Sequence, residues 1–223
     1  MAFCQSPACV LALVALFFAL VYFAASAARR KRLEALQNFA LTGGFCFDPD
    51  AAAVPQQLLS VLPVFLHGSS RKSSNLLYRS SSAGQTLVFD YLYVTGSGKS
   101  RTQHQQTMVA FNAQVFLPQF ELCPENLVHK FLKLFGYADI NFPESSQFSK
   151  MYLLRGPNEE IVRAQFSLDA RTLLQGLPGW RLEAAGQWLA AYKPGGLRRP
   201  AEYTEYIEQA RSIAAALGLR GMP

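Results

Sequence analysis

The sequence predicts an α+β protein: an N-terminal transmembrane helix followed by one domain with a mainly antiparallel sheet covered by helices. Three observations predict it. A run of 21 residues from Ala8 to Ala28 carries no charge and is closed by Arg29, Arg30, Lys31 and Arg32. Residues 85–112 alternate in the two-residue period of strands, broken by a Gly-containing turn. Two later stretches, each opened by proline, carry apolar residues at helical spacing.

The uncharged run, rich in Ala, Leu, Val and Phe, reaches about 30 Å as a helix at about 1.5 Å per residue, the thickness of a bilayer core. Ala25-Ser26-Ala27 resembles a signal-peptide cleavage site, but signal peptides place positive charge before the apolar run, and Met1–Pro7 has none. The charge instead follows the run, as a stop-transfer cluster does. The positive-inside rule then puts the chain's N-terminus outside and its domain in the cytoplasm. The same four residues are read as the anchor flank, attracted to anionic headgroups. The chain divides into 1–32, anchor and basic flank; 33–74, a juxtamembrane helix and an irregular segment; and 75–223, the α+β domain.

Residues 33–41 continue as a short helix with Leu33, Leu36, Phe39 and Ala40 on one face, stopped by Gly43-Gly44. Pro49–Pro55 reads as loop, 56–62 as a short helix, and Gly68–Ser74 as an exposed turn. Strands are expected over Asn75–Ser80, 85–94 and 102–112, forming three antiparallel neighbours. In the second, Leu87, Phe89, Tyr91 and Tyr93 face one side and Val88, Asp90, Leu92 and Val94 the other. Pro124 is expected to open a helix with a stripe of Leu127, Val128, Phe131, Leu134 and Phe135, ended by Gly136. Met151–Leu154 reads as a strand, 157–176 as one or two helices, and Trp180–Tyr192 as a second hairpin around Gly186. Pro200 opens the last helix and Gly218 ends it. Strands and helices in separate runs, without βαβ alternation, favour an antiparallel sheet.

The formal charge of +6 suggests nucleic acid, but the four residues of the flank account for most of it. Residues 33–223 hold 17 basic and 15 acidic residues, +2, an ordinary surface, so no nucleic-acid partner is expected. The partners expected are the lipid bilayer and a protein of unspecified kind. Cys4, Cys9, Cys46 and Cys123 form no CxxC pair and have no His at ligand spacing, so no metal is expected; spacing leaves open a Cys46–Cys123 bridge if the domain were exported. Thr95-Gly96-Ser97-Gly98-Lys99-Ser100 ends like a phosphate-binding loop. The required first glycine is Tyr93, and a strand follows where a helix is needed, so the segment is read as a hairpin turn and no cofactor is expected.

Glu121, Glu125 and Asp139 are the catalytic candidates, since paired carboxylates can share acid and base roles. Glu125 is equally explained by helix polarity after Pro124. Cys123 has no neighbouring His and reads as a small buried side chain; His67, His104 and His129 are scattered singly. Asp90, mid-strand among apolar neighbours, needs a cationic partner, and Arg79 or Lys99 is the one expected.

The segments FDYLYVTGSGKSRTQHQQT, LPQFELCPE, FGYADINF and QFSKMYLLRG resemble those of an uncharacterised group of small bacterial membrane-anchored proteins, over residues 60–215. That resemblance implies bacterial origin, hence an inner-membrane location, and an anchored layout; it brings no activity and no functional residues. Two functions follow as expectations: a non-catalytic interaction or regulatory domain held at the membrane, and, as the alternative, a membrane-anchored hydrolase using a carboxylate cluster.

Overall fold

The computed structural model describes residues 7–125 and 137–223. Helix α1 (Pro7–Gly43) is a single helix of 37 residues. No Gly or Pro lies between its first and last residues, so nothing in the sequence breaks it. Its two halves have opposite surroundings. The most apolar 18-residue window has mean hydropathy 2.5 and none of it is buried in the protein, a length and composition sufficient to cross a membrane. Past the basic flank the same helix enters the domain, where Leu36 and Ala40 are buried and Phe39 meets Tyr203 edge to face at 5.7 Å. The short helix expected over residues 33–41 is thus the continuation of the apolar helix itself. Gly44, at φ +68°, turns the chain out of it.

Strands β1 (Cys46–Asp48), β2 (Ser69–Ser81), β3 (Gly84–Thr95) and β4 (Thr102–Pro124) follow as antiparallel neighbours. Between β1 and β2 lie two short helices, α2 (Gln56–Val61) and α3 (Pro63–Leu66). The expected turn at residues 68–74 is the start of β2, with Ser69 opposite Val94 and Lys72 opposite Leu92. Its polar side chains are exposed while its backbone is laddered, which is why composition alone suggested a turn. Register shifts accompany positive φ at Ser70 and Asn75.

β4 organises the sheet. One of its edges holds β3 along residues 102–113 and then β5 (Tyr152–Arg155) along 121–124, while β6 (Arg181–Tyr192) runs along the other. The segment 180–192, expected as a hairpin, is therefore one strand. Gly186, at φ +61°, stands opposite Leu117 where the β4–β6 register shifts, so it marks a bulge and not a turn. Pro124, expected to open a helix, closes β4 opposite Tyr152; the remainder of that expected helix lies outside the described residues.

Both faces of the sheet are covered. On one, Val88, Val109 and Phe111 pack under the end of α1, α4 (Ser146–Met151), α5 (Glu159–Gln165), α6 (Leu168–Gly176) and α7 (Tyr203–Ala216). On the other, Leu87, Phe89, Tyr91 and Tyr93 pack against α2 and α3 through Leu58, Val64 and Phe65. The alternation in β3 serves both. Side-chain caps fix α5, where Asn158 Oδ1 accepts from the Ile161 amide, and α6, where Ser167 Oγ accepts from the Ala170 amide.

Candidate functional site

Three polar features stand out in this fold: an ion pair joining α1 to the sheet, a buried carboxylate pair, and an open groove. The first centres on Asp90, placed by the strand alternation on the α1-facing side of β3 and only 3% exposed. Its partner is Arg32, 58 residues away, and neither Arg79 nor Lys99. Arg32 Nη2 lies 2.8 Å from Oδ2 and 2.9 Å from Oδ1, and Nε donates to Oδ2 at 3.1 Å. Its Nη1 donates to the Arg198 carbonyl at 2.7 Å. The carboxylate also accepts from Asn75 Nδ2 and Thr107 Oγ1, both at 2.9 Å. Tyr203 contributes a longer contact at 3.4 Å, and burial together with the Asp90 charge raises its phenol well above the ordinary range, so it stays a donor. Arg79 instead donates to the Gly43 carbonyl at the end of α1 and lies 4.7 Å over the Phe45 ring, while Lys99 is exposed.

Arg32 was grouped by sequence with the lipid-facing flank, yet its guanidinium faces the protein. The neighbouring Arg29, Arg30 and Lys31 are exposed. Helical geometry turns successive residues by about 100°, so one member of a basic run can meet the sheet while others face outward. A fork-shaped guanidinium on a buried carboxylate fixes orientation as well as charge.

The second feature contains Glu121, one of the three catalytic candidates. β4 and β6 place Glu121 opposite Glu183, with Arg181 bonded to Glu121 and 3.2 Å from Glu183. Glu183, fully buried, also accepts from the Val64 amide at 2.7 Å and from Tyr192 Oη at 3.0 Å. Burial raises its carboxyl to about 7; the Arg181 charge pulls the other way, and Glu121 adds to the rise. The same burial lifts the Cys123 thiol to about 11. His67 is lowered by burial and by Arg181.

Asp139 does not join Glu121. It bridges the outer side of β5 at Arg155, accepts from the Leu154 amide at 3.3 Å, and accepts from Asn141 at 3.0 Å. β5 therefore stands between the two carboxylates. Glu125 is exposed just beyond the end of β4. Among the described residues no group of three His, Cys, Asp or Glu could hold a metal ion. Cys46 and Cys123 are free thiols, one exposed and one buried. The residues that sequence reasoning missed are Arg181, Glu183 and Tyr192. Arg-Leu-Glu at the head of an otherwise apolar strand, putting opposite charges two residues apart on one face, was the available signal.

The phosphate-loop look-alike forms the tight β3–β4 connection. A single 3-10 turn spans Gly98–Ser100, Gly96 and Gly98 take φ +73° and +54°, and β4 begins at Thr102. The third feature is a groove of about 640 Å³ between the 50–54 loop, α2 and α3, and the start of β2. Val54, Leu59 and Phe65 give it apolar walls; Arg71 and Lys72 give it cationic ones.

These features define a class: a two-faced α+β sheet domain built onto a helix long enough to cross a membrane. No family model and no curated protein matches the chain. Among solved structures, it is similar to the crystal structure of the mycobacterial trehalose monomycolate transport factor A, TtfA, with a TM-score of 0.61 and 12% identity. The likeness covers 87% of this chain and 97% of that one, and at this identity it is a likeness of fold.

Proposed function

We propose that this chain is a single-pass, membrane-anchored interaction domain, non-catalytic, which holds a protein partner at the cytoplasmic face of a bacterial inner membrane in support of transport. The observation that carries this reading is the continuity of α1. A bilayer-length apolar segment and a core helix of the domain are one element, and Arg32 on Asp90 ties that element to the central strand. Such a domain has a set position and orientation at the bilayer, as presentation of a surface to a membrane-bound partner requires. The support for cytoplasmic placement is the exposed Arg29, Arg30 and Lys31 beside the span, under the positive-inside rule. The support for a transport role is the similar fold of the mycobacterial transport factor.

The catalytic alternative has less support. Glu121 is committed to Arg181 inside the protein, Asp139 binds backbone across β5, and acid–base chemistry needs a carboxyl within reach of a substrate. The test is co-purification of the full chain from detergent-solubilised membranes, with Arg32→Ala in parallel. A membrane protein recovered in stoichiometric amount with the wild type supports the reading; recovery of the chain alone, together with hydrolytic activity lost in Glu121→Gln, overturns it. A C-terminal reporter active only in the cytoplasm checks the orientation.

A further inference from the structure

The direction of α1 gives the domain a bilayer-facing end. Gly43, at the end of α1, is held by Arg79, which pairs with Thr86; Arg32 is held by Asp90. From Gly43 back to Arg32 is 11 residues of helix, about 16 Å, and from Thr86 to Asp90 is four residues of strand, about 13 Å. The two lengths agree within the reach of the two arginine side chains, so β3 runs opposite in direction to α1 and its Asp90 end is the one nearer the bilayer. Everything beyond Asp90 on β3 therefore lies on the bilayer side: Tyr91–Thr95, the turn Gly96–Arg101 and the start of β4. Lys72, paired with Leu92, sits at the same end. So does the segment after β6, since Gly196 bridges Gln106 and the Arg198 carbonyl takes a bond from Arg32.

Four stretches meet there: 29–32, 69–73, 91–106 and 193–199. They contain four, two, two and three basic residues, eleven of the chain's 21, and not one of its 15 acidic residues, so the rest of the chain holds 10 basic against 15 acidic. The near acids are Asp90 and Glu202, which pair with Arg32 and Arg199, Glu205 beside Lys193 and Arg198, Glu34 on α1, and Asp50 on the wall of the groove. Arg71, Lys72, Lys99 and Arg101 remain exposed, and Leu197 adds an exposed apolar side chain.

We propose that this end of the folded domain is a second, discontinuous lipid-binding surface: Arg71 and Lys72 on β2 together with Lys99 and Arg101 at the β3–β4 turn dock on anionic headgroups of the bilayer that α1 crosses. The proposal rests on the anchored reading. It adds that the domain lies against the lipid and does not hang free below it. Cations on a rigid hairpin turned toward the headgroups gain attraction that an anchor flank alone cannot supply, and the attraction is screened by salt over about 10 Å at 0.1 M. The glycines at 96 and 98 let the turn close tightly, which keeps Lys99 and Arg101 together at its tip.

The full chain is reconstituted in nanodiscs of phosphatidylcholine alone and of phosphatidylcholine with a third phosphatidylglycerol, and amide exchange is followed by mass spectrometry. Peptides covering 69–73 and 95–102 should exchange several-fold more slowly in the anionic discs, and high salt should abolish the difference. In the quadruple variant Arg71→Glu, Lys72→Glu, Lys99→Glu, Arg101→Glu one bond inside the domain is lost, that from Arg71 to the Phe65 carbonyl at 2.8 Å, so peptides in the sheet core are the control for folding; they should keep wild-type protection while the slowing is lost. Equal exchange in both discs, or slowing that survives the quadruple variant, overturns the proposal. Carbonate extraction of the same proteins reads the anchor separately: a chain released from membranes defeats the anchored reading, whereas a retained chain with no lipid dependence defeats only the docking surface.

Discussion

Removing Arg32 should destabilise the domain although the residue stands in the basic flank of the apolar helix. The side chain of Asp90 is 4% exposed and that of Arg32 20%. Breaking such a buried pair from one side costs about 3–5 kcal/mol, because a carboxylate is left without its counter-charge. Asn75, Thr107 and Tyr203 remain as neutral donors, which places Arg32→Ala near the lower limit, about 3 kcal/mol. Arg32→Lys keeps the charge but loses the fork, and should cost about 1–2 kcal/mol. Arg30→Ala, an exposed neighbour, should stay within about 0.5 kcal/mol. The assay is urea unfolding of the full chain in detergent micelles, followed by the fluorescence of Trp180 and Trp188, which are buried on opposite faces of the sheet and so report on both. Arg32→Ala combined with Asp90→Ala should cost about 2 kcal/mol less than the sum of the two single changes. A cost below about 1 kcal/mol for Arg32→Ala, the size of an exposed pair, or strict additivity in the double variant, would refute the argument.

Phe89, fully buried and stacked 6.0 Å from Phe65, should cost about 3–5 kcal/mol as Phe89→Ala in the same assay, whereas Lys99→Ala should change nothing measurable. Iodoacetamide at pH 8 should modify Cys46 and leave Cys123 intact until the chain unfolds, since one thiol is exposed and the other is raised to about 11 by burial; mass spectrometry of the two peptides reads it. Glu183 holds its proton to about 7 in the folded chain against an ordinary 4.5, so between those values the native state binds more protons than the unfolded one. Its contribution to stability is present below about 4.5 and lost as pH rises through about 7, and a urea-midpoint profile should lose that slope in Glu183→Gln.

What the sequence makes legible is periodic. The long apolar helix, the alternation of β3 and the stripe of α7 each repeat over ten or more residues, and each lies where the pattern puts it. What it hides is pairing at long range. Arg32 and Asp90 are 58 residues apart, Arg181 and Glu121 60 apart, and no local spacing tells a basic residue in a flank from one that turns inward. Local punctuation misleads in the same way: Gly186 carries a turn signal, but β6 runs on along β4 and absorbs a bulge there. The 69–74 stretch fails for the opposite reason, because backbone pairing stabilises a strand whose side chains are nearly all polar.

These hidden pairs bear directly on the anchored role proposed above. A helix that merely tethers needs a flexible joint after the bilayer, and glycine or proline would be expected there; α1 has neither between Pro7 and Gly43. Its lower half instead contributes Leu36 and Ala40 to the core, so rotating or tilting the span must move the sheet with it. The Arg32 fork prevents the remaining slippage, rotation of α1 against β3, because only one azimuth of the helix brings the guanidinium to Asp90 and the Arg198 carbonyl together. A domain coupled this way would transmit a tilt of α1 to the β3–β4 hairpin and to the 193–199 segment. Loss of Arg32 should therefore uncouple span from sheet before it unfolds either, and amide exchange in 33–43 should rise in Arg32→Ala while the ladder between β3 and β4 stays protected.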